Sequence, residues 1–129
     1  MEQKDFQGWI RIKESLHFRG RLPCFSEGDV WWCSIGENVG VEINGKSGRF
    51  TRPVIIMKKL GRKGFMGIPL TSQEKVGSWY VSFEFLEKIQ YAAICQARVI
   101  STSRLHDKMG QIPDSDLQMI KTAFHQLFW

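Results

Sequence analysis

The sequence has 129 residues and a mass of 15.0 kDa, with 43% hydrophobic and 24% charged residues, which predicts one globular domain with a modest core. No apolar run approaches the ~20 residues that a membrane span needs, and the polar N-terminus argues against a secretory signal peptide. The formal net charge of +5 and the pI near 9.3 make nucleic acid the leading class of partner, with an ordinary basic globular protein as the alternative.

The cysteines and histidines do not form a pattern typical of a disulfide framework or a metal centre. Cys24, Cys33 and Cys95 are odd in number, widely spaced and without a CxxC pair. The three histidines stand apart from one another and from any carboxylate cluster with ligand spacing. No GxxxxGK[ST] phosphate-binding loop is present. We therefore expect a reduced, cytoplasmic protein that uses neither a metal nor another cofactor.

The first elements in chain order are a helix, a strand and a long loop. Apolar residues recur near helical spacing over residues 3–18, and Gly20 and Pro23 end this predicted helix. Residues 29–35 predict a strand with two largely apolar faces, as expected inside a closed barrel. Residues 36–52 are rich in Gly and Asn. A loop of this length is usually functional or disordered.

Further strands follow this loop. Residues 53–59 and 65–70 predict two strands, and the link 61–64 has the length of a hairpin turn. More strand candidates lie at 79–83, 91–95 and 97–100.

After Ser103 the pattern becomes helical, and Asp114 or Ser115 can cap a C-terminal helix with an apolar stripe. Many short strands flanked by helices predict an α+β protein, mainly β, built as a small antiparallel barrel.

One segment holds the whole excess of positive charge. Between Glu42 and Glu74 the chain has no acidic residue and seven basic ones. Glycines and the aromatic residues Phe50 and Phe65 alternate with these cations, and we expect the two rings to flank a basic groove. This composition suits a polyanion, although a solvated basic loop is the common alternative. The seven basic residues are Lys46, Arg49, Arg52, Lys58, Lys59, Arg62 and Lys63.

Cleavage of RNA by its own 2′-hydroxyl is a reaction that needs neither metal nor cofactor. It requires a proton acceptor for the 2′-OH, a positive charge beside the phosphorane and a donor for the departing 5′-oxygen. Arg52 suits bidentate phosphate binding. Glu42 and the Thr71–Ser72 pair could supply the other roles. The general base stays open, because a guanidinium is an awkward base.

Several motifs stand in a defined order along the chain. They are Gly28-Asp29-Val30-Trp31-Trp32, Gly36-x-Asn38-x-Gly40-x-Glu42, Arg52-Pro53-Val54-Ile55-Ile56, Ile68-Pro69-Leu70-Thr71-Ser72-Gln73, and a final series from Gln96 to Ile112. On these motifs the chain resembles, from Gly28 to about Phe124, the MazF/PemK-like toxins of type II toxin–antitoxin systems. That family consists of sequence-selective, metal-independent endoribonucleases.

The resemblance implies roles for individual residues and for partners. Arg52 and Thr71 would carry catalysis, with Ser72 beside them and Glu42 assisting from the long loop. The fold would be a five- or six-stranded SH3-like (CcdB/MazF-like) barrel acting as a homodimer on single-stranded RNA, mRNA included, and inhibited by a cognate acidic antitoxin. The expected RNA contacts are Asn38, Lys46, Arg49, Lys58, Lys59, Arg62, Lys63 and Gln73.

The chain also departs from the family pattern, and two alternatives remain. The segment between Glu42 and Arg52 is longer than typical, and Ile43 stands where a Gln is expected. Residues 1–27 form an extra N-terminal, helical extension before a toxin domain at 28–129. The alternatives are a DNA gyrase poison of CcdB type, which would not need the Arg/Thr pair, and a non-catalytic RNA-binding barrel.

Overall fold

Antiparallel strands and one long helix make up most of residues 22–35 and 51–128, the residues that the computed structural model describes. One-turn 3-10 helices at Ile94–Gln96 and Thr102–Arg104 flank the sixth strand. In chain order the elements are β1 (Asp29–Ser34), β2 (Thr51–Lys59), β3 (Gly64–Thr71), β4 (Tyr80–Phe85), β5 (Lys88–Ala93), β6 (Arg98–Ser101), β7 (Leu105–Gln111) and α1 (Asp114–Phe128).

Strand β3 joins two parts of the sheet. The strand order is β4-β5-β3-β2-β1-β7, with β6 also paired to β3. The β2–β3 ladder ends at Val54 opposite Pro69. Proline has no amide hydrogen to offer a ladder. The last two residues of β3, Leu70 and Thr71, pair with β5 instead. Strands β2 and β3 therefore separate beyond Pro69.

The alternation of side chains along the strands builds two apolar clusters on opposite faces of the sheet. Neighbouring residues go to different clusters, as Ile55 and Val54 do, because successive side chains of a strand point to opposite faces. The first cluster includes Ile55 and packs against α1. The second, on the face away from α1, consists of Phe25, Trp31, Cys33, Ile35, Val54, Ile56, Phe65, Ile100 and Leu105.

Helix α1 covers the first cluster with its apolar stripe. Leu117 and Ile120 are buried, and Phe124 and Leu127 pack at the edge of the cluster. The backbone amide of Leu117 donates to the carbonyl of Pro113 at the helix start. The predicted C-terminal helix is confirmed. No helix in the two described ranges is long and apolar enough to cross a membrane.

The segment before β1 is fastened to β2 and α1. The Phe25 ring packs on Phe65 with 5.6 Å between ring centroids, and the Lys59 ammonium lies 4.7 Å above the Phe25 ring. The Glu27 carboxylate accepts from the Lys59 amide and from Lys121 Nζ at 3.1 Å. The Lys59 amide, followed by Lys121, lowers the pKa of Glu27. The helix predicted over residues 3–18 lies outside the described residues.

The structure confirms the antiparallel, mainly β fold and corrects its details. There are seven strands in the described ranges, so the expected number of five or six is wrong. Residues 105–111 form strand β7, where a helical pattern was expected, and Ile94 and Cys95 lie in a 3-10 helix beyond β5. β7 pairs with β1 through two register shifts and contains exposed polar residues. These irregularities remove the strict alternation that marks a strand in sequence.

Candidate functional site

A cleft of about 690 Å³ opens where β2 and β3 separate. Its wall contains residues from β1, β2, β3, β4, β5 and β7, from the β4–β5 turn and from the residue that follows β3. They are Trp32, Thr51, Arg52, Pro53, Leu70, Thr71, Ser72, Phe85, Leu86, Lys88, Gln90 and Met109.

Arg52 lies in the β2 wall and is held by the backbone. It stands directly opposite Cys33 of β1, and only 8% of its surface is exposed. Its Nη1 donates to the carbonyl oxygen of Leu70 at 3.3 Å. Burial lowers the pKa of Arg52. Because the ordinary pKa of arginine lies far above neutrality, the guanidinium keeps its charge. The cleft thus contains a fixed cation that is shielded from water.

Thr71 lies at the end of β3, in the facing wall. It stands opposite Tyr91 of β5 and is 7% exposed. Its hydroxyl oxygen accepts a hydrogen bond from the Gln73 backbone amide at 3.2 Å, so Thr71 begins a local turn. A hydroxyl that accepts from an amide keeps its own hydrogen for donation. Ser72, next in the chain, is exposed and also lines the cleft.

The strand register brings Arg52 and Thr71 to the same face. Val54 stands opposite Pro69, and counting two residues along each strand away from this pair reaches Arg52 on β2 and Thr71 on β3. Residues at such positions point to the same side of a sheet. Since the strands have already separated there, space for a ligand lies between the two side chains.

The hairpin cations lie elsewhere. Lys58 and Lys59 end β2, and Arg62 and Lys63 lie in the exposed turn that follows. Arg52 is six residues from Lys58, which is about 20 Å along an extended strand. The structure therefore does not bring these four residues into the cleft.

Phe65 and Gln73 lie on either side of the segment that ends β3. Phe65 is fully buried in the second cluster, so the expectation that it flanks a basic groove is wrong. Gln73 contacts Thr71 through its backbone amide. Asn38, Glu42, Lys46, Arg49 and Phe50 lie outside the described residues.

Lys88 and Gln90 of β5 line the cleft but were not predicted from the sequence. They share one face of β5 with Ala92, which pairs with Leu70 of β3. Alternation along residues 88–92 does signal a strand, but only the pairing of β5 with β3 determines that this face borders the cleft. That pairing connects distant parts of the chain.

The β4–β5 turn at the rim of the cleft has an unusual backbone. Leu86 and Glu87 have φ angles of 51° and 64°. Two successive positive φ values are typical of a type I′ hairpin turn, which usually contains Asn or Gly. Leu86 is nevertheless 60% exposed and lines the cleft. A strained turn thus presents an apolar side chain at the edge of the cavity.

Within residues 22–35 and 51–128, no three His, Cys, Asp or Glu side chains come together as a group able to hold a metal ion. Phosphate binding in this cleft would rely on Arg52, Lys88 and the hydroxyls of Thr71 and Ser72. These are the groups that a site for a phosphodiester requires.

Comparison with known proteins gives a family and a fold. Residues 26–128 match the family described as PemK-like, MazF-like toxin of type II toxin–antitoxin system. A comparison with curated proteins found no significant match.

Two solved structures illustrate the likeness of fold. MazF from Deinococcus radiodurans is 18% identical with a TM-score of 0.66, over 83% of this chain and 96% of that one. An endoribonuclease from Mycobacterial species, solved in complex with its cognate antitoxin, is 16% identical with a TM-score of 0.62, over 80% of this chain and 93% of that one. At these identities the likeness is evidence for the fold alone.

Proposed function

This chain belongs to the PemK-like, MazF-like toxins of type II toxin–antitoxin systems, and we propose that it is a sequence-selective endoribonuclease that cuts single-stranded RNA, mRNA included. The observation that carries this proposal is the position of Arg52 and Thr71 on one face of the sheet, on two sides of one cleft. A buried, charged guanidinium and a hydroxyl donor are the groups that stabilise a phosphorane.

The proposed reaction uses the 2′-hydroxyl of the substrate as nucleophile. The 2′-oxygen forms a bond to phosphorus, and the bond from phosphorus to the 5′-oxygen breaks. The products are a 2′,3′-cyclic phosphate and a 5′-hydroxyl. The 2′-OH proton goes to a base, and the departing 5′-oxygen takes a proton from a hydroxyl donor of the cleft, which solvent then replaces. No oxidant or other co-reactant is needed.

Arg52 would stabilise the charge that develops on the phosphoryl oxygens. Its burial keeps water away from the ion pair with phosphate, and a low local dielectric strengthens that attraction. The bond from Arg52 to the Leu70 carbonyl fixes the guanidinium before substrate arrives. Such preorganisation avoids a reorganisation cost during the reaction.

Thr71 and Ser72 are the donors that we assign to the phosphoryl oxygens and to the departing 5′-oxygen. Glu42 is our candidate acceptor of the 2′-OH proton. This assignment follows from the family resemblance, and Glu42 lies in the chain between β1 and Thr51, a residue that lines the cleft.

We also propose partners for this chain, on the basis of its family and of two similar solved structures. The Mycobacterial endoribonuclease was solved with its cognate antitoxin, and MazF of Deinococcus radiodurans was solved with MazE. We propose that this chain acts as a homodimer and is inhibited by an acidic antitoxin. An acidic segment suits the basic character of the chain, whose net charge is +5.

Incubation of the purified protein with mixed RNA in excess EDTA tests the reaction. We expect cleavage to continue, with 5′-hydroxyl ends that polynucleotide kinase labels directly and with cyclic phosphate at the 3′ ends. Cleavage that EDTA abolishes, or products with a 5′-phosphate, would refute the internal 2′-OH mechanism. A parent protein that inhibits DNA gyrase but leaves RNA intact would favour the CcdB-type alternative.

A further inference from the structure

The cleft that contains Arg52 and Thr71 is larger than a phosphate group requires. Its volume of about 690 Å³ lies in the range of pockets that enclose a whole small molecule. Besides the groups assigned to the phosphate, its wall contains Trp32 and Gln90, each of which combines apolar surface with hydrogen-bonding atoms. The reaction proposed above gives these two residues no role.

Trp32 lies on the opposite face of the sheet from Arg52. It pairs with Pro53 of β2, the residue that follows Arg52. Since successive side chains of a strand point to opposite faces, Trp32 and Pro53 share one face and Arg52 lies on the other. All three line the cleft, so the cleft receives side chains from both faces. The Trp32 ring is only partly buried, which leaves part of its surface to a ligand.

Gln90 has the corresponding position in the other wall. Ala92 of β5 pairs with Leu70, the residue before Thr71. Gln90 is two residues from Ala92 and shares its face of β5, so it lies on the face opposite Thr71. In each wall, therefore, a group assigned to the phosphate points to one face and a side chain without a role in the reaction points to the other.

The polar atoms of Trp32 and Gln90 are available to a ligand. Within the part of the chain that the structure describes, neither the indole N–H of Trp32 nor the carboxamide of Gln90 has a hydrogen-bond partner. Buried polar groups of such side chains usually find one. The neighbouring Trp31 does so, since its Nε1 donates to the carboxylate of Asp29 at 3.2 Å. The contrast between the two tryptophans singles out Trp32 as a residue that faces a binding site.

We propose that the side of the cleft formed by Trp32 and Gln90 is a nucleobase site, which holds the base of a nucleotide beside the phosphate that Arg52 contacts. An indole ring offers a flat apolar surface on which any base can stack. A carboxamide presents a donor and an acceptor side by side, so it can pair with the edge of a base. Trp32 supplies affinity that is common to all bases, and Gln90 discriminates among them.

A single-stranded RNA suits this arrangement, because its unstacked bases can turn away from the backbone and stack on protein side chains. With the phosphate held towards one face of the sheet, the base of the same nucleotide reaches the other face through the gap between β2 and β3. The inference rests on the proposed function, because it takes this nucleotide to belong to the RNA strand that is cut. Trp32 and Gln90 contact the base, and no bond change is assigned to them.

Binding of a labelled single-stranded RNA analogue with 2′-deoxy sugars, which cannot be cleaved through a 2′-hydroxyl, tests the base site. A series of analogues, each without the base at one position, locates the nucleotide that occupies the site. We expect one such abasic position to weaken binding to the parent protein roughly tenfold, a typical effect of losing one base–aromatic contact. Trp32→Leu should weaken binding of the complete analogue by a similar factor, and the abasic position should then matter much less.

Trp79→Leu is the matched control for the tryptophan, because Trp79 is 58% exposed and does not line the cleft. We expect its affinities for the complete and the abasic analogues to match those of the parent protein. Thermal melting identifies any variant that fails to fold. The abasic series in the parent protein requires no substitution, so it tests the base site even if Trp32→Leu does not fold.

Sequencing the cut ends of a random RNA pool tests the role of Gln90. Leucine is close to glutamine in size but cannot form hydrogen bonds. We expect Gln90→Leu to reduce the preference for one base at one position beside the cut roughly tenfold, measured as a ratio of kcat/KM values. Preferences at other positions should persist. Gln118→Leu is the control, because Gln118 is exposed on α1 outside the cleft, and its cleavage motif should match that of the parent.

The base site and the proposed reaction fail in different ways. A parent protein whose affinity depends on one base of the analogue, but which does not cut unmodified RNA, refutes the reaction and leaves the base site standing. A parent protein that cuts RNA but binds the complete and all abasic analogues equally refutes the base site and leaves the reaction standing. An unchanged cleavage motif in a folded Gln90→Leu protein would overturn the discriminating role of Gln90.

Discussion

The guanidinium of Arg52 on β2 is hydrogen-bonded to the carbonyl of Leu70 on β3, beyond the last pair of the ladder between these strands. The side chain of Arg52 thus links β2 to β3 where the backbone pairing of these strands has ended. It also places its positive charge next to Thr71. Arg52 therefore connects the two walls of the cleft and supplies a buried positive charge to it.

Replacing Arg52 by alanine should abolish most RNA cleavage. We expect kcat to fall about 10²–10³-fold, the typical effect of removing one donor to a developing oxyanion. Circular dichroism and thermal melting should show that the variant folds. Near-parental cleavage in a folded Arg52→Ala protein would mean that the reaction takes place elsewhere.

Replacing Thr71 by alanine should be comparably severe, and replacing Ser72 should be milder. Thr71 is nearly buried and fixed by the Gln73 amide, whereas Ser72 is exposed. Thr71→Ser keeps the hydroxyl and is the matched control, for which we expect most activity to return. Single-turnover rates at saturating enzyme separate these effects from changes in binding. Equal rates for Thr71→Ala and the parent would exclude a catalytic hydroxyl at this position.

Neutralising the exposed turn between β2 and β3 should affect binding alone. We expect Arg62→Gln with Lys63→Gln to weaken RNA binding and flatten its salt dependence, with the single-turnover rate at saturation unchanged. This turn suits the test because its residues are exposed, whereas Lys59 also contacts Phe25. A fall in the single-turnover rate at saturation would contradict this expectation. It would show that these cations act on the reacting phosphate, despite the separation of about 20 Å along β2 between Arg52 and Lys58.

The Cys33 thiol should resist alkylation in the folded protein, while Cys24 should react. Cys24 is exposed, and Cys33 is buried with its pKa raised to about 12 from an ordinary value of 9.0. Mass spectrometry after brief treatment with iodoacetamide at pH 8 measures both. Equal labelling of the two cysteines in the folded protein would contradict the burial of Cys33.

The same pKa shift predicts a loss of stability in alkali. Below about pH 9 the thiol is neutral in both states, and the contribution of Cys33 is fully present. Between about pH 9 and 12 the unfolded chain releases the Cys33 proton and the folded chain does not, so stability falls as pH rises. Cys33→Ala should show a smaller decline in denaturant midpoint over this range than the parent. If the denaturant midpoints of Cys33→Ala and the parent fall equally over this pH range, other groups account for the loss of stability.

An acidic antitoxin tail and RNA should exclude each other. We expect a saturating tail peptide to displace the non-cleavable RNA analogue, because both would occupy the cleft and its basic surroundings. A scrambled peptide of equal charge is the control for purely ionic competition. Simultaneous binding of tail and RNA at full affinity would show that inhibition acts from a remote surface.

The sequence predicted those parts of the fold that depend on local patterns. The predicted strands 53–59 and 65–70 are mainly apolar, and both lie inside observed strands. β7 was missed because its pairing with β1 is irregular, so no alternation marks it. Helix α1 was predicted because its apolar stripe and its N-terminal Asp114 are local features.

The candidate site was predictable only in part. Arg52 and Thr71 were named from residue chemistry and from family motifs, and the structure brings both to one cleft. Lys88 and Gln90 line the cleft and were not predicted. Their places follow from the pairing of β5 with β3, such as Ala92 with Leu70, which a single sequence does not encode locally.

Strand β3 pairs with β2 and β6 along most of its length and with β5 at its end. The two walls of the cleft therefore belong to differently paired parts of the sheet. One wall belongs to β2 and the other is paired with β5, so the change of pairing partner between Pro69 and Leu70 sets the gap between them. Buried contacts outside the cleft, such as those of Phe83 in the first cluster, support the strands that form the two walls. Substitutions there should change the distance between Arg52 and Thr71 although neither residue is replaced. We therefore expect mutations in the buried core to alter the catalytic rate.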